Sequence, residues 1–77
     1  MNINERTNVM KLAMLKANSD CKQLGAVKVS DFLLSYANDA FIASEDMHMF
    51  DDIILGTGYI DLKDTFICAY MASVHLK

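Results

Sequence analysis

Hydrophobic residues in the first third of the chain recur at intervals of three and four positions, which is the spacing of one face of an α-helix. The repeat lies between Asn4 and about Cys21 and consists of Val9, Met10, Leu12, Ala13, Met14 and Ala17. The other side of the same helical wheel is polar and carries Thr7, Asn8, Lys11 and Asn18. The pattern therefore predicts an amphipathic helix over residues 4–21.

A second amphipathic helix is predicted after the first glycine. Gly25 ends or bends the chain, and the pair Ser30 and Asp31 offers an N-terminal cap for a new helix. The apolar face that follows consists of Phe32, Leu33, Tyr36, Ala37, Ala40 and Phe41. The opposite face carries Asp31, Ser35, Asn38 and Asp39. We therefore expect this helix to present one wide apolar face to a core.

The segment between Ser44 and Gly56 supports two predictions. Ser44 can cap a third helix whose first turn holds Glu45 and Asp46, because carboxylates are favourable at the positive end of the helix dipole. The apolar residues on either side of Gly56-Thr57-Gly58 also match a tight β-hairpin near residues 53–62. The helix is the first prediction and the hairpin is the alternative.

The last segment, about Leu62 to Leu76, is predicted to be a helix that follows a cap at Asp61. Its apolar side chains surround the helical wheel, and a helix that is apolar all round must be covered all round. Three other short helices can barely supply that cover, so the pattern predicts self-association, as a dimer, through Phe66, Ile67, Tyr70, Met71 and Val74. The alternative is that this helix is the central helix of a compact bundle.

Length and composition set the fold class. The chain has 77 residues, too few for two independent cores, so we expect one domain over residues 1–77. Hydrophobic residues make up 53% of the sequence and charged residues 22%, which places it outside the range of disordered chains. The expected fold is all-α, a small bundle of three to four short helices. The alternative is an α+β fold with the hairpin near residues 53–62.

Charge is distributed unevenly along the chain. Residues 1–28 hold five basic and two acidic side chains, whereas residues 29–61 hold seven acids and no lysine or arginine. An acidic surface repels nucleic-acid phosphates and attracts basic protein surfaces. The sequence therefore predicts a protein partner with a basic surface, and no direct nucleic-acid binding, through Asp31, Asp39, Glu45, Asp46, Asp51 and Asp52. The alternative is that these acids only form a solvated face and helix caps.

One cluster has the spacing of metal ligands. Glu45, His48 and Asp52 fall on one face if residues 45–52 are helical, and a Glu-x-x-His pair is half of the site in helical di-metal proteins. Only one such pair is present, so metal binding is a secondary hypothesis. No cofactor is expected.

The remaining features favour a binding protein over an enzyme. Cys21 and Cys68 lack the spacing of a zinc or redox motif, and neither is set in a nucleophile motif. No apolar run reaches the roughly 20 residues of a membrane span, and we expect a cytoplasmic protein. The sequence predicts a non-enzymatic regulatory or inhibitory protein, typical of phage or mobile-element accessory factors. A transcription-linked regulator that acts through a partner protein is a further alternative.

Overall fold

The computed structural model describes residues 1–54 and 58–76, and these residues form five helices. The helices are α1 (Ile3–Leu24), α2 (Ala26–Asp31), α3 (Leu33–Asp46), α4 (Asp51–Ile54) and α5 (Tyr59–His75). The all-α prediction is confirmed, with no strand among the described residues. None of the helices in this part of the chain combines the length and apolar character needed to cross a bilayer.

The hairpin alternative near residues 53–62 is wrong where the structure describes it. Ile53 belongs to α4, and residues 59–62 form the first turn of α5. Residues 55–57, the centre of that alternative, lie outside the described residues. Helical hydrogen bonds within α4 and α5 satisfy the backbone groups that a strand ladder would have used.

The first helix is longer than the sequence pattern predicts because both of its ends are capped. The Asn2 side chain accepts a hydrogen bond from the Glu5 backbone N–H at 2.8 Å, and Glu5 accepts one from the Asn2 backbone N–H at 2.9 Å. This reciprocal pair is a capping box, which satisfies two backbone donors at the helix start. At the other end the Gly25 N–H donates to the Cys21 carbonyl at 2.9 Å. The helix therefore extends one residue before and three residues after the amphipathic repeat.

Gly25 joins α1 to α2 in a backbone conformation that only glycine adopts readily, with φ 91° and ψ 139°. We expect Gly25→Ala to lower the free energy of unfolding by about 1–3 kcal/mol, because a Cβ is strained in this region even though the space around it is empty. Gly58→Ala is the matched control, since Gly58 has φ −62° and equally open surroundings. The control should change stability by less than about 1 kcal/mol in urea titrations. Equal effects of the two substitutions would contradict the strain at Gly25.

Two predicted caps have other roles. Ser30 and Asp31 form the last turn of α2 instead of preceding a helix, and Phe32 separates α2 from α3 with φ −125°. Ser44 is buried inside α3, where its hydroxyl donates to the Ala40 carbonyl at 2.8 Å. Serine and aspartate side chains bond to nearby backbone in several conformations, so their presence alone does not fix a helix start.

The three long helices pack as a bundle in which α1 and α5 run in the same direction. Near the start of both helices, the Arg6 guanidinium donates to Thr65 at 3.1 Å and lies 3.4 Å from the Asp61 carboxylate. Further along both, the Tyr70 hydroxyl donates to Asp20. Asp61 therefore lies in the first turn of α5 and joins it to α1, whereas the N-cap position belongs to Gly58. The predicted cap at Asp61 is wrong by three residues.

The core combines small residues with a group of aromatic rings. Ala13, Ala17 and Ala37 have no exposed surface, which lets helix axes approach closely. The rings of Phe41, Phe50 and Phe66 lie within 5.8 Å of one another, centroid to centroid, and the three are buried. These rings come from α3, from the turn before α4 and from α5. The aromatic group therefore holds the second half of the chain together.

The last helix is enclosed by its own chain along most of its length. Phe66 and Tyr70 have no exposed surface and Val74 is 5% exposed. The inference that these three side chains need cover from another chain is therefore wrong, because α1, α2 and α3 all pack against α5. Ile67 and Met71 are half-buried against the core. Self-association of the chain stays a prediction, but it needs a different surface.

Candidate functional site

Many large hydrophobic side chains lie on the outside of this bundle. Fourteen of them are exposed among the described residues. The core has thirteen buried apolar residues, but five of these are alanines, so only eight are large. The exposed set is Ile3, Met10, Met14, Leu15, Leu24, Val27, Phe32, Leu34, Ile42, Met47, Met49, Tyr59, Ile60 and Leu76. Single exposed apolar residues are ordinary, but a contiguous group marks a binding surface. A binding surface can therefore be sought where these exposed apolar side chains lie next to charged side chains.

The solvent side of α3 is acidic with an apolar centre. Ser35, Asp39, Ile42 and Asp46 follow one another at intervals of four, three and four residues, so they form one stripe, which we name the outer face of α3. All four side chains are exposed, and Ile42 is 51% exposed. Leu34 is exposed at the start of the same helix. Two carboxylates thus flank an apolar side chain.

The carboxylates of this region are not neutralised by basic side chains. Within residues 1–54 and 58–76, no lysine or arginine forms an ion pair with Asp31, Asp39, Asp46 or Asp52. Asp51 pairs with the His48 imidazole, with 3.0 Å between Nδ1 and Oδ2. Carboxylates without a basic partner remain hydrated, and their negative electrostatic potential attracts positively charged groups from solution.

The six acids predicted to bind a partner are spread over three helices. Asp39 and Asp46 share the outer face of α3, whereas Asp31 ends α2 and Asp51 and Asp52 begin α4. Glu45 points elsewhere, because it accepts a hydrogen bond from the Tyr59 hydroxyl at 3.1 Å. Only Asp39 and Asp46 therefore form a stripe with an exposed hydrophobic residue between them.

The hydrogen bond between Tyr59 and Glu45 ties α5 to the end of α3. Partial burial of the phenol, then the hydrogen bond to Glu45 and the negative charge of that carboxylate, raise the pKa of Tyr59. The Tyr59 ring also meets the Phe41 ring edge to face at 5.8 Å. Glu45 is thus a structural residue at the edge of the aromatic group, although the sequence placed it among the partner-binding acids.

The three candidate metal ligands do not share one helical face. Glu45, His48 and Asp52 were expected on one helical face, but α3 ends at Asp46 and His48 adopts a positive φ of 59°. Glu45 bonds Tyr59, and His48 bonds Asp51. Across the described residues, no three histidine, cysteine, aspartate or glutamate side chains come together as a potential metal site. The spacing argument required a continuous helix that the chain does not form.

The solvent side of α1 is basic with an apolar centre. Lys11, Leu15, Asn18 and Lys22 follow at intervals of four, three and four residues, and we name this stripe the outer face of α1. All four are exposed, Leu15 to 66%, and Met14 is exposed beside them. In the sequence pattern, Lys11 and Asn18 stand out only as part of the polar side of the helix. The repeated spacing of Lys11, Leu15 and Lys22 was the signal that could have identified this face.

A groove separates the outer faces of α1 and α3. It is lined from α1 by Lys16, Ser19, Asp20 and Leu24, and from α3 by Tyr36, Asp39, Ala40 and Ala43. Glu45 near the end of α3 bonds Tyr59 at the start of α5, and Phe41 packs on Phe66 further along α5. The helix α3 therefore runs antiparallel to α5, and so also to α1.

Comparisons of this chain with protein-family models, with curated proteins and with solved structures gave no match.

Proposed function

We propose that this chain is a non-enzymatic protein-binding domain that docks the outer face of α3 on a basic surface of a partner protein. The observation that carries the proposal is the exposure of Ile42 between two unpaired carboxylates, Asp39 and Asp46. Protein interfaces commonly combine an apolar centre with a charged rim.

The two kinds of side chain have different tasks in this proposal. Burial of Ile42 and the neighbouring Leu34 supplies affinity, because apolar area removed from water is favourable by about 25 cal/mol per Å². The carboxylates of Asp39 and Asp46 select the partner, since a positive surface is attracted and a negative one repelled. Asp31, Asp51 and Asp52 extend the negative field beyond α3.

A regulatory or inhibitory role follows if the partner's basic surface is itself functional. A basic groove that binds nucleic-acid phosphates is one such surface, and a bound row of carboxylates would occupy it by competition. We propose this mode of action, in which the chain blocks a site and carries out no reaction of its own.

The charge dependence of binding tests the proposal with a defined probe, a synthetic amphipathic helix of lysine and leucine. We expect binding by fluorescence anisotropy to weaken steeply as the salt concentration rises, since the Debye length falls from about 10 Å at 0.1 M to about 3 Å at 1 M. The D39N/D46N variant should bind about tenfold more weakly than the wild type at low salt. Ile42→Ser should weaken binding at all salt concentrations, because the apolar contact is not screened.

The matched control is Asp64→Asn, which removes an exposed carboxylate from α5, away from the outer face of α3. It should leave binding of the probe within about twofold of the wild type. Binding that is insensitive to salt, or equal losses in D64N and D39N/D46N, would contradict recognition by this face.

A further inference from the structure

The groove between α1 and α3 brings polar side chains of both helices together in one cavity of about 360 Å³. Asp20 lines it from α1, and Tyr36 and Asp39 line it from α3. Asp39 also belongs to the outer face of α3, so the groove is continuous with the surface proposed to bind a basic partner. The chemistry of its lining therefore bears on which side chain of that partner fits it.

A buried hydroxyl holds Asp20 in place at this groove. Asp20 is half-buried, and its Oδ2 accepts a hydrogen bond from the hydroxyl of Tyr70, a residue with no exposed surface. The other carboxylate oxygen, Oδ1, accepts no hydrogen bond from a residue in the described ranges. A carboxylate that is fixed at one oxygen and open at the other accepts a new donor with little further loss of conformational freedom.

The two carboxylates occupy the centre of the groove. Asp20 is midway between Lys16 and Leu24, the ends of the lining on α1, and Asp39 is near the middle of the lining on α3. Because the two helices are antiparallel, Lys16 lies at one end of the groove and Tyr36 at the other. The lining thus runs from a cation through two carboxylates to an aromatic ring.

Neither central carboxylate is neutralised by a basic side chain. No ion pair in the part of the chain that the structure describes includes Asp20 or Asp39. Lys16, the one basic residue of the lining, lies a full helical turn from Asp20. The centre of the groove therefore attracts a positive group.

The half-buried Tyr36 ring favours one kind of positive group. An arginine guanidinium is planar, stacks on aromatic rings and donates two parallel hydrogen bonds to a carboxylate. A lysine ammonium is more strongly hydrated and lacks this planar set of donors, so it gains less from the same surroundings. Two carboxylates beside a tyrosine thus match a guanidinium.

We infer that this groove is the subsite for one arginine side chain of the basic partner. The guanidinium lies between the carboxylates of Asp20 and Asp39 and stacks on the Tyr36 ring. Lys16 limits the subsite to a single cation, since a second positive group at its end of the groove would be repelled. This inference rests on the proposed function and deepens it, because it names the side chain through which the basic surface is recognised.

Two probes that differ only in their cation test the subsite. They are the synthetic lysine and leucine helix and the same helix with arginine in place of each lysine. We expect the wild type to bind the arginine probe with a Kd about tenfold lower in fluorescence anisotropy at low salt. Tyr36→Leu removes the ring and Asp20→Asn removes one charge, so each should reduce this ratio to about threefold or less. Tyr36→Phe keeps the ring and should keep the ratio.

Two matched variants control for the loss of a ring and of a charge outside the groove. Phe32→Leu removes a ring that is 61% exposed, and Asp64→Asn removes an exposed carboxylate of α5. Neither residue lines the groove, so both variants should keep the wild-type ratio. Far-UV circular dichroism establishes that each variant is folded. Asp20→Asn keeps an acceptor for the Tyr70 hydroxyl, so it tests the groove even if Tyr36→Leu does not fold.

The ratio of the two dissociation constants separates this inference from the proposed function. Equal binding of the two probes by the wild type overturns the arginine subsite, and so does a wild-type ratio that persists in Asp20→Asn and in folded Tyr36→Leu. If D39N/D46N and added salt still weaken binding of the lysine probe in those cases, the proposed function stands without this subsite. If the wild type binds neither probe, both proposals are overturned.

Discussion

Phe66→Ala is expected to lower the free energy of unfolding by about 3–5 kcal/mol, the usual cost of removing a buried phenylalanine ring. Phe66 has no exposed surface and packs edge to face on Phe41 and Phe50, at 5.5 and 5.8 Å between ring centroids. The cavity left by this substitution removes the ring contacts of α5 with Phe41 of α3 and with Phe50 before α4. Since small domains have total stabilities near the low end of about 5–15 kcal/mol, the variant should be largely unfolded at 37 °C.

Urea denaturation followed by far-UV circular dichroism measures this effect, and the chain offers a control with the same chemical change. Phe32 is 61% exposed at the junction of α2 and α3, so Phe32→Ala should cost less than about 1 kcal/mol. A Phe66→Ala variant as stable as Phe32→Ala would mean that the aromatic group does not hold the bundle together.

The sequence predicted best those helices whose hydrophobic residues lie on a single face. Val9, Ala13 and Ala17 lie on the predicted apolar face of α1, and all three are buried. Ala37 and Phe41 on the second predicted helix are buried too, now within α3. A helix with one apolar face has a single orientation that buries that face, so periodicity alone places its residues correctly.

The pattern was less informative where a helix is apolar on several sides. Around α5, periodicity does not show which side faces a neighbouring helix and which faces water. In the structure, the side of α5 that faces the neighbouring helices carries the largest rings, Phe66 and Tyr70. The side that faces water carries Cys68 and Ala72. The difference arises from long-range packing among α1, α3 and α5, which no local window of sequence contains.

The candidate site was predicted in part for a similar reason. Asp39 was expected on the polar side opposite an apolar face, and Asp46 in the first turn of a separate third helix. The structure places both on the surface of α3. Glu45 could not be separated from them, because its hydrogen bond to Tyr59 depends on the packing of α5 beside α3. The basic face of α1 was missed because its lysines fall in a different segment from the acids, and only the tertiary fold places the two helices side by side.

Alkaline pH is expected to destabilise the protein through Tyr70, and Tyr70→Phe should remove that dependence. The Tyr70 side chain has no exposed surface, and its hydroxyl donates to the Asp20 carboxylate at 2.5 Å. Burial is the main cause that raises the pKa of Tyr70 far above its ordinary value, and the hydrogen bond to Asp20 and its negative charge add to it. In the unfolded chain the same phenol ionises near pH 10.

The sign of the effect follows from proton linkage. Above pH 10 the unfolded chain loses the Tyr70 proton and the folded chain keeps it, so the free energy of the unfolded state falls relative to that of the folded state. The stability that Tyr70 contributes is complete below pH 10 and falls by about 1.4 kcal/mol for each further pH unit, reaching up to about 2.7 kcal/mol at pH 12. Tyr36 and Tyr59 are present in both proteins, so their contributions cancel in the comparison with Tyr70→Phe.

The measurement is urea denaturation of wild type and Tyr70→Phe at pH 8, 10, 11 and 12 with the thiols kept reduced. Below pH 10 the wild type should be more stable by about 1–3 kcal/mol, the contribution of a hydrogen bond to a charged group. That advantage should shrink above pH 10 and vanish or reverse by pH 12. Asp20→Asn keeps an acceptor but removes the charge, so its decline should begin at pH 10 as in the wild type and level off at lower pH. A constant difference between wild type and Tyr70→Phe across this range would show that Tyr70 is ionised as easily in the folded protein as in water.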